Sequence, residues 1–161
     1  MAGFAKIGDI EGESTDKNHD KWINIESISN PISRSIPDGA VDQERARGST
    51  TLGDMVLSRP LDKSSVKLAA ACAQGNFYDE VEIHLTTQIK KEEKPFLKYK
   101  LKNVIITSYN ISGGASGNPQ PSEMITLNFT KIEWEYVVLD PKTGDTQGSV
   151  PDSYDPGAAS D

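Results

Sequence analysis

Two histidines and a single cysteine are the residues from which a catalytic centre would have to be built, and their placement builds none. His84 sits in VEIHLTTQI, residues 81–89, on the polar parity with Glu82, Thr86 and Gln88. A general base needs a positioned partner, and none is adjacent in sequence, so His84 reads as a solvated or interfacial side chain. His19 lies in the charged turn DKNHDK and reads the same way. Cys72 falls in the small-residue run VKLAAACA, where a free thiol is ordinarily a buried structural group. One cysteine forms no internal disulfide and offers a metal no second thiolate.

The remaining candidates resolve in the same direction. Asp9, Glu11, Glu13 and Asp16 lack the ligand spacing, central glycine and closing glutamate of a helix-loop-helix calcium site, so they are expected in a solvated hairpin turn. Gly113, Gly114 and Gly117 are followed by neither Lys-Ser nor Lys-Thr and open no helix, which makes them a flexible turn rather than a phosphate cradle. Glu133 and Glu135 share the solvent parity of a strand and read as a charged outer face. Residues 90–102 hold six lysines, but two glutamates interrupt them and the alternation puts the last three on one strand face, a solvated or subunit-contacting surface.

The elements that would carry these side chains are mostly strands. In 81–89, Val81, Ile83, Leu85 and Ile89 share one parity, the mark of a half-buried strand. A second strand over about 96–111 places Leu97, Tyr99, Leu101, Ile105 and Ile111 on one side and Lys98, Lys100 and Lys102 on the other. From Ile125 the apolar residues run Ile125, Leu127, Phe129, then change parity to Ile132, Trp134, Tyr136, Val138. A one-residue slip would turn half of them into water, so a β-bulge is expected near Thr130 and Lys131. Phe4–Ile10, Trp22–Ser29 and Leu52–Arg59 are further strands. Ser64–Gln74 is the one helix, capped by Ser64 or Asp62 and ended by Gly75 and Asn76. Residues 30–51 and 112–122 read as loops, the first long enough to suggest a binding element. A domain over 1–139 and a flexible acidic tail over 140–161, rich in Pro, Gly, Asp and Ser, complete the chain.

The 161 residues and 17.5 kDa suit one such domain. A net charge of −7 and a pI near 4.9 disfavour a nucleic-acid partner. No run approaches the roughly 18 apolar residues needed to cross a bilayer, and the first thirty residues lack the pattern of a signal peptide. Membrane insertion is not expected, and neither a cofactor nor a metal is implied.

Four segments together resemble the hemolysin-coregulated protein (Hcp) family of bacterial type VI secretion systems: IGDIEGESTDKNH at 7–19, DKSSVKLAAACAQG at 62–75, LKNVIITSYNISGG at 101–114 and EMITLNFTKIEWEY at 123–136. No one of them is specific, but their order is. The chain departs from the pattern at Val66, where proline is common, and in 30–51, which carries SIPDGAVDQERAR where many members are glycine-rich; past Tyr136 nothing is carried over. The resemblance implies a mainly β fold, a bent β-barrel of two packed sheets with one flanking helix and a long extended loop. It further implies a non-enzymatic tube subunit: hexameric rings around a wide lumen, stacked within a contractile sheath on a baseplate, capped by a spike protein of the VgrG type and ejected into a neighbouring cell. Such a protein waits in the bacterial cytoplasm and leaves it without a signal peptide, carrying small secreted effectors in its lumen.

On that reading the long loop clasps the next ring, with Arg34, Asp38, Glu44, Arg45 and Arg47 as stacking contacts. Ser27, Ser29 and Asn30 are expected at the lumen, and Lys98, Lys100 and Lys102 against a partner's glutamates. A six-chain ring carries six times the chain's charge, so its seams need such pairing. Composition alone leaves two rivals: a lipocalin-type barrel holding a small apolar molecule, which the 35% hydrophobic content makes cramped, and a β-sandwich hydrolase, which lacks a recognisable catalytic spacing.

Overall fold

Eleven strands and one helix follow one another in the computed structural model, which describes residues 1–114 and 120–157. Gly117, the middle of the 112–122 loop and the last four residues of the tail lie outside the described residues. The strands are β1 (Ala2–Ile7), β2 (Ile23–Ile25), β3 (Ser27–Ser29), β4 (Ile32–Arg34), β5 (Thr50–Leu52), β6 (Met55–Pro60), β7 (Phe77–Ile89), β8 (Glu92–Ser112), β9 (Ser122–Asn128), β10 (Lys131–Leu139) and β11 (Thr146–Tyr154). The helix α1 spans Ser65–Gln74. Nine strands form one antiparallel sheet in the order β2-β1-β7-β8-β9-β6-β3, with β10 on β8 and β11 on β10. β4 and β5 make a second, two-stranded sheet. The fold is mainly β, an open bent barrel with one helix, as the sequence leads one to expect.

The β7–β8 hairpin is its spine. The charged KKEEKP segment contributes only Lys90 and Lys91 to the turn, both at positive φ (52° and 65°), the two-residue geometry that matches strand twist. Glu92 onward is already strand, and β8 runs 21 residues. One edge of β8 pairs with β7 and the other with β10 over its first half and β9 over its second.

The parity change near Thr130 is real, and it is shared. Phe129 and Ile132 are both buried, and the strand breaks between them rather than bulging alone. Opposite the break, Asn103 of β8 takes φ 54°, and the buried side of β8 shifts from Leu101 to Val104 and Ile106. Asn103 Nδ2 donates to Thr130 Oγ1 at 2.8 Å and the Thr130 N–H to the Lys102 carbonyl at 3.0 Å. Both strands therefore gain a residue at the same height and the sheet folds as a unit with its register kept. This corrects the parity expected for Ile105, which is only partly buried; a second register shift between Ile106 and Ser108 restores the earlier parity, so Tyr109 packs on the core and Ile111, paired with Glu123, is exposed near the strand's end. Tyr136 and Val138 are also exposed, with Val137 buried instead, because Tyr136 is the last residue of β10 to pair with β8.

The hydrogen-bonded path does not close on itself, but its two end strands, β2 and β3, are consecutive in the chain with only Glu26 between them. The covalent chain bridges the seam, helped by the Glu26 N–H donating to the Ser58 carbonyl at 2.8 Å. Inside lie Ile7, Ile23, Leu57, Ile83, Leu101, Ile125 and Leu127, all fully buried, so the interior where a lipocalin would hold its ligand is filled by side chains. Leu68 and Ala71 of α1 join this core. Gly75, at φ 67°, ends the helix as the Gly-Asn pair suggests, its N–H donating to the Cys72 carbonyl. Ser64 makes no side-chain cap; its hydroxyl donates to Asp62, while Asp62 is held by Arg59.

Arg59 sits among the apolar residues of β6 with no exposed surface. Its Nη1 donates to Glu123 of β9, its Nε to the Asn24 carbonyl of β2 at 3.2 Å, and Nη2 makes an ion contact with Asp62 Oδ2 at 2.6 Å. Tyr109 donates its hydroxyl to the other oxygen of Glu123. Burial, then the hydrogen bond to Glu123 and its charge, push the Tyr109 pKa up to about 12, so it remains a donor. Burial works against ionised Asp62, but hydrogen bonds from Arg59 and Ser64 outweigh it and keep its pKa below the usual value.

Two loops are corrected. Residues 30–51 do not form an irregular loop: β4 and β5 pair from Ile32↔Leu52 to Arg34↔Thr50, and a 3₁₀ turn, Asp42–Arg47, lies beyond them. The tail is strand over 146–154, paired with β10 from Ile132↔Tyr154 onward. Its few hydrophobes misled because an edge strand is held by main-chain hydrogen bonds while its side chains stay in water; eight of its nine residues are exposed. Asp140 starts the turn, accepting from the Lys142 N–H at 2.7 Å.

Replacing Arg59 by Ala leaves Glu123 as an uncompensated buried charge and is expected to cost about 3–5 kcal/mol in urea unfolding. The double change Arg59→Met with Glu123→Leu is expected to recover part of it; a single variant as stable as the parent contradicts this account.

Candidate functional site

Three features outside the core offer themselves for function: a charged sheet face, a histidine pair beneath it, and the β4–β5 arm. The face is made by β7, β8, β10 and the end of β1. Across these strands, Lys6 pairs with Glu82, Glu82 with Lys100, and Lys100 with Glu133. The next row runs Glu80, Lys102, Lys131, and a third runs His84, Lys98, Glu135. Opposite charges thus stand beside each other across the hydrogen-bonding direction in the first row, the arrangement that favours antiparallel pairing. Lys100 Nζ lies 3.3 Å and Lys102 Nζ 3.0 Å from the Glu80 carboxylate. The Lys102 hydrogen bond lowers the Glu80 pKa, and Glu80 in turn raises that of Lys100. Within the chain, Glu80 thus already pairs with both Lys100 and Lys102. Glu133 and Glu135 belong to the same charged face.

The histidines depart most from the sequence reading. His19 is 2% exposed, not solvated in a turn. The 8–22 segment folds back on itself, with the Gly12 N–H donating to the Lys21 carbonyl at 2.8 Å and the Lys21 N–H to the Ser14 carbonyl at 2.9 Å. This drives His19 inward, where it stacks on Phe4 (4.5 Å between ring centres) and meets Trp22 edge-on (4.8 Å). His19 Nδ1 lies 2.6 Å from Asp16 Oδ2, and its Nε2 2.9 Å from Nδ1 of His84. His84 is half-buried, with Nε2 3.6 Å from Glu82 Oε2. Burial first, then repulsion from His19, Lys98 and Lys100, hold the His84 pKa down to about 4. Sequence separation hid the contact, since residues 19 and 84 are brought together only by the pairing of β1 with β7. Asp9, Glu11 and Glu13 remain exposed, with Glu11 in ion-pair reach of Lys21 and Lys63.

Above this pair is a cleft of about 640 Å³ walled by Glu82, His84, Lys98, Lys100, Glu133, Glu135 and Asp152, with Tyr99 and Trp134 in its lining. Ser153 also lines the cleft, and no group of three or more metal-binding side chains converges among the described residues. Cys72 is half-buried on α1, packed against the core.

The arm carries the proposed stacking residues. Arg34 turns inward, donating from Nη1 to the Ala46 and Gly48 carbonyls at 3.2 and 2.9 Å, so it holds the arm together. Gly48 is required there: a Cβ would stand 1.5 Å from the Ser35 carbonyl oxygen. Asp38, Glu44, Arg45 and Arg47 are exposed, as are Ile36 and Val41. Ser27 and Ser29 lie exposed on β3, whereas Asn30 anchors the arm's root, donating to the Gly53 carbonyl at 2.9 Å.

Comparison with known proteins gives this geometry a context. Residues 4–136 match the family described as type VI secretion system effector, Hcp. The chain is 30% identical over 133 residues to the protein hcp1 of Pseudomonas aeruginosa, covering 83% of this chain and 81% of that one. Among solved structures, one described as a type six secretion system protein superposes with a TM-score of 0.87 at 28% identity, covering 98% of this chain and 96% of the other. A type VI secretion system effector from Yersinia pestis superposes with a TM-score of 0.73 at 27% identity, covering 95% and 98%.

The histidine pair has a consequence for stability. His84 in the unfolded chain takes a proton near 6.5 but resists it in the fold until about pH 4, so protons favour unfolding across that window. Urea midpoints are expected to fall as pH drops from about 6.5 towards 4, and His84→Gln is expected to flatten that slope.

Proposed function

The chain belongs to the Hcp family of type VI secretion proteins, and from that premise we propose that it is the subunit of the system's inner tube. Six copies form a ring around a wide lumen, rings stack within a contractile sheath seated on a baseplate, and a spike protein of the VgrG type caps the tube. The protein is held in the bacterial cytoplasm until firing and is then ejected, carrying small effectors within the lumen. It performs no catalysis of its own. Ser27 and Ser29 are its candidate lumen residues, and Lys98, beside the His84–Glu82 corner, is its candidate seam contact.

The arm is the observation that carries this reading. From Pro31 to Val41 and on through the 3₁₀ turn, residues 31–47 include no buried side chain, and Ile36 and Val41 are more than half exposed. A segment that buries nothing in its own chain yet keeps an ordered hairpin gains its apolar contacts elsewhere. Head-to-tail stacking provides that surface, since a heterologous contact repeats without closing. Asp38, Glu44, Arg45 and Arg47 then become polar contacts to the next ring, while Arg34 keeps the arm in shape.

The fold makes a clean test available. Ser35 and Ser49 are joined by a main-chain hydrogen bond of 2.9 Å, so residues 36–47 can be replaced by a single Asn, which with Gly48 makes a two-residue Asn-Gly turn and leaves β4 and β5 in register. The shortened protein is expected to keep its ring mass and to form no tubes in electron micrographs. Tubes of normal length from the shortened protein would show that the arm is not the clasp.

A further inference from the structure

His19 is the pin that holds residues 8–22 to the barrel. The N–H groups of Gly12, Ser14, His19, Lys21 and Trp22 all donate within that segment, so its main chain is tied mostly to itself. Gly12, Ser14 and His19 are its buried residues, and only His19 has a side chain of any size; Ile10 and Trp22 are partly exposed. Two ion pairs reach the rest of the chain, Lys17 to Glu92 at 3.9 Å and Glu11 to Lys63 at 4.0 Å, but all four side chains are solvated and such pairs hold little. The pin itself is the 2.9 Å contact between His19 Nε2 and His84 Nδ1, with Phe4 stacked on one ring and Trp22 against both.

A nitrogen-to-nitrogen hydrogen bond needs one donor and one acceptor, so its survival depends on how many protons the pair carries. With both rings neutral, His19 Nδ1 donates to the Asp16 carboxylate, His19 Nε2 accepts, and His84 Nδ1 donates to it. One added proton settles on His19, whose Nδ1 lies 2.6 Å from Asp16 Oδ2. His19 Nε2 then donates, His84 Nδ1 accepts, and the His84 hydrogen moves to Nε2 on the Glu82 side. The bond reverses its direction and persists. A second proton, on His84, sets two N–H groups of two cations against each other, and the bond is lost. We propose that the His19–His84 pair is a two-proton latch on residues 8–22, closed with no added proton or one and open with two.

The surrounding charges decide where it opens. His84 faces Glu82 on its own strand, Lys98 and Lys100 on β8, Glu133 and Glu135 on β10 and Asp152 on β11, with Lys6 of β1 beside Glu82; His19 faces Asp16. Burial, then His19, Lys98 and Lys100, resist the second proton and hold the His84 pKa down to about 4, which keeps the latch shut at neutral pH. A released His84 takes its proton near the ordinary 6.5. Between those values the open form binds a proton that the closed form refuses, so the opening equilibrium grows about ten-fold for each pH unit of acidification. Opening uncovers Phe4, which is 5% exposed beneath the His19 ring, so the acid form presents apolar surface that the neutral form hides.

Trp22 sits at the pin and reports on it. Trp22 and Trp134 are the two tryptophans, so the full chain carrying Trp134→Phe isolates its signal. Acrylamide quenching of Trp22 is expected to rise several-fold as pH falls from about 6.5 to about 4, while the far-ultraviolet circular dichroism of the strands stays constant. His84→Asn places an amide that can donate or accept where Nδ1 stood and takes no proton, so it is expected to keep Trp22 protected over the same range. In the parent protein, nitrogen resonances of the His84 ring are expected to show the hydrogen on Nδ1 at about pH 9, a reading that needs no variant to fold. Trp22 still protected at about pH 3.5, exposed only together with loss of the strand signal, or exposed equally in His84→Asn would each overturn the proposal. So would a His84 hydrogen on Nε2 at about pH 9. The latch does not rest on the tube reading.

Discussion

A buried guanidinium holds this barrel together. The sheet is bent so far that its two ends meet, yet they do so through the chain between β2 and β3 rather than through a continuous ladder. Arg59 spans that seam, reaching the β2 backbone, Glu123 on β9 and Asp62 at the foot of α1. Taking a charged pair out of water costs several kcal/mol per ion, which is recovered only when the remaining donors and acceptors are satisfied. Here Asn24 on β2, Asp62 just before α1 and Tyr109 on β8 surround the pair, so the seam, the helix start and the β8–β9 ladder meet at one side chain. Hydrophobic burial supplies the mass of the stability, and the Arg59 network ties the seam to β9 and to the start of the helix.

The outer surface follows a different rule. The charged rows over β1, β7, β8 and β10 set five lysines against four glutamates, so the net charge of −7 resides elsewhere. Exposed acids lie in the 8–22 segment, at Asp9, Glu11, Glu13 and Asp20, and in the turn and strand after Leu139, at Asp145 and Asp152. The arm presents Arg45 and Arg47 at its 3₁₀ turn. The same turn carries Asp42 and Glu44, so the arm presents both signs of charge.

Period-two patterning was enough to find the spine, the Val81–Ile89 strand, the helix from Ser64 onward and the disturbance at Thr130, because one face of each element is buried. It was not enough where no face is buried. The arm and β11 are strands held by main-chain hydrogen bonds, and their side chains carry no periodic signal. Within β8 the pattern misled between Leu101 and Ile106, since Asn103 at positive φ shifts the parity without any turn residue to announce it and the irregularity before Ser108 shifts it back. The Arg59–Glu123 pair was visible in principle: Arg59 shares parity with Met55 and Leu57, and Glu123 with Ile125 and Leu127, two opposite charges on two buried faces. The His19–His84 contact was not, for it joins a loop to a strand 65 residues on.

The central claim is that these chains assemble as six-membered rings that stack. Native mass by light scattering on the purified protein, with micrographs of the same fraction, tests it most directly. The account expects a mass about six times the 17.5 kDa chain and ring-shaped or tubular particles. A monodisperse monomer at every concentration, with no rings, would contradict it.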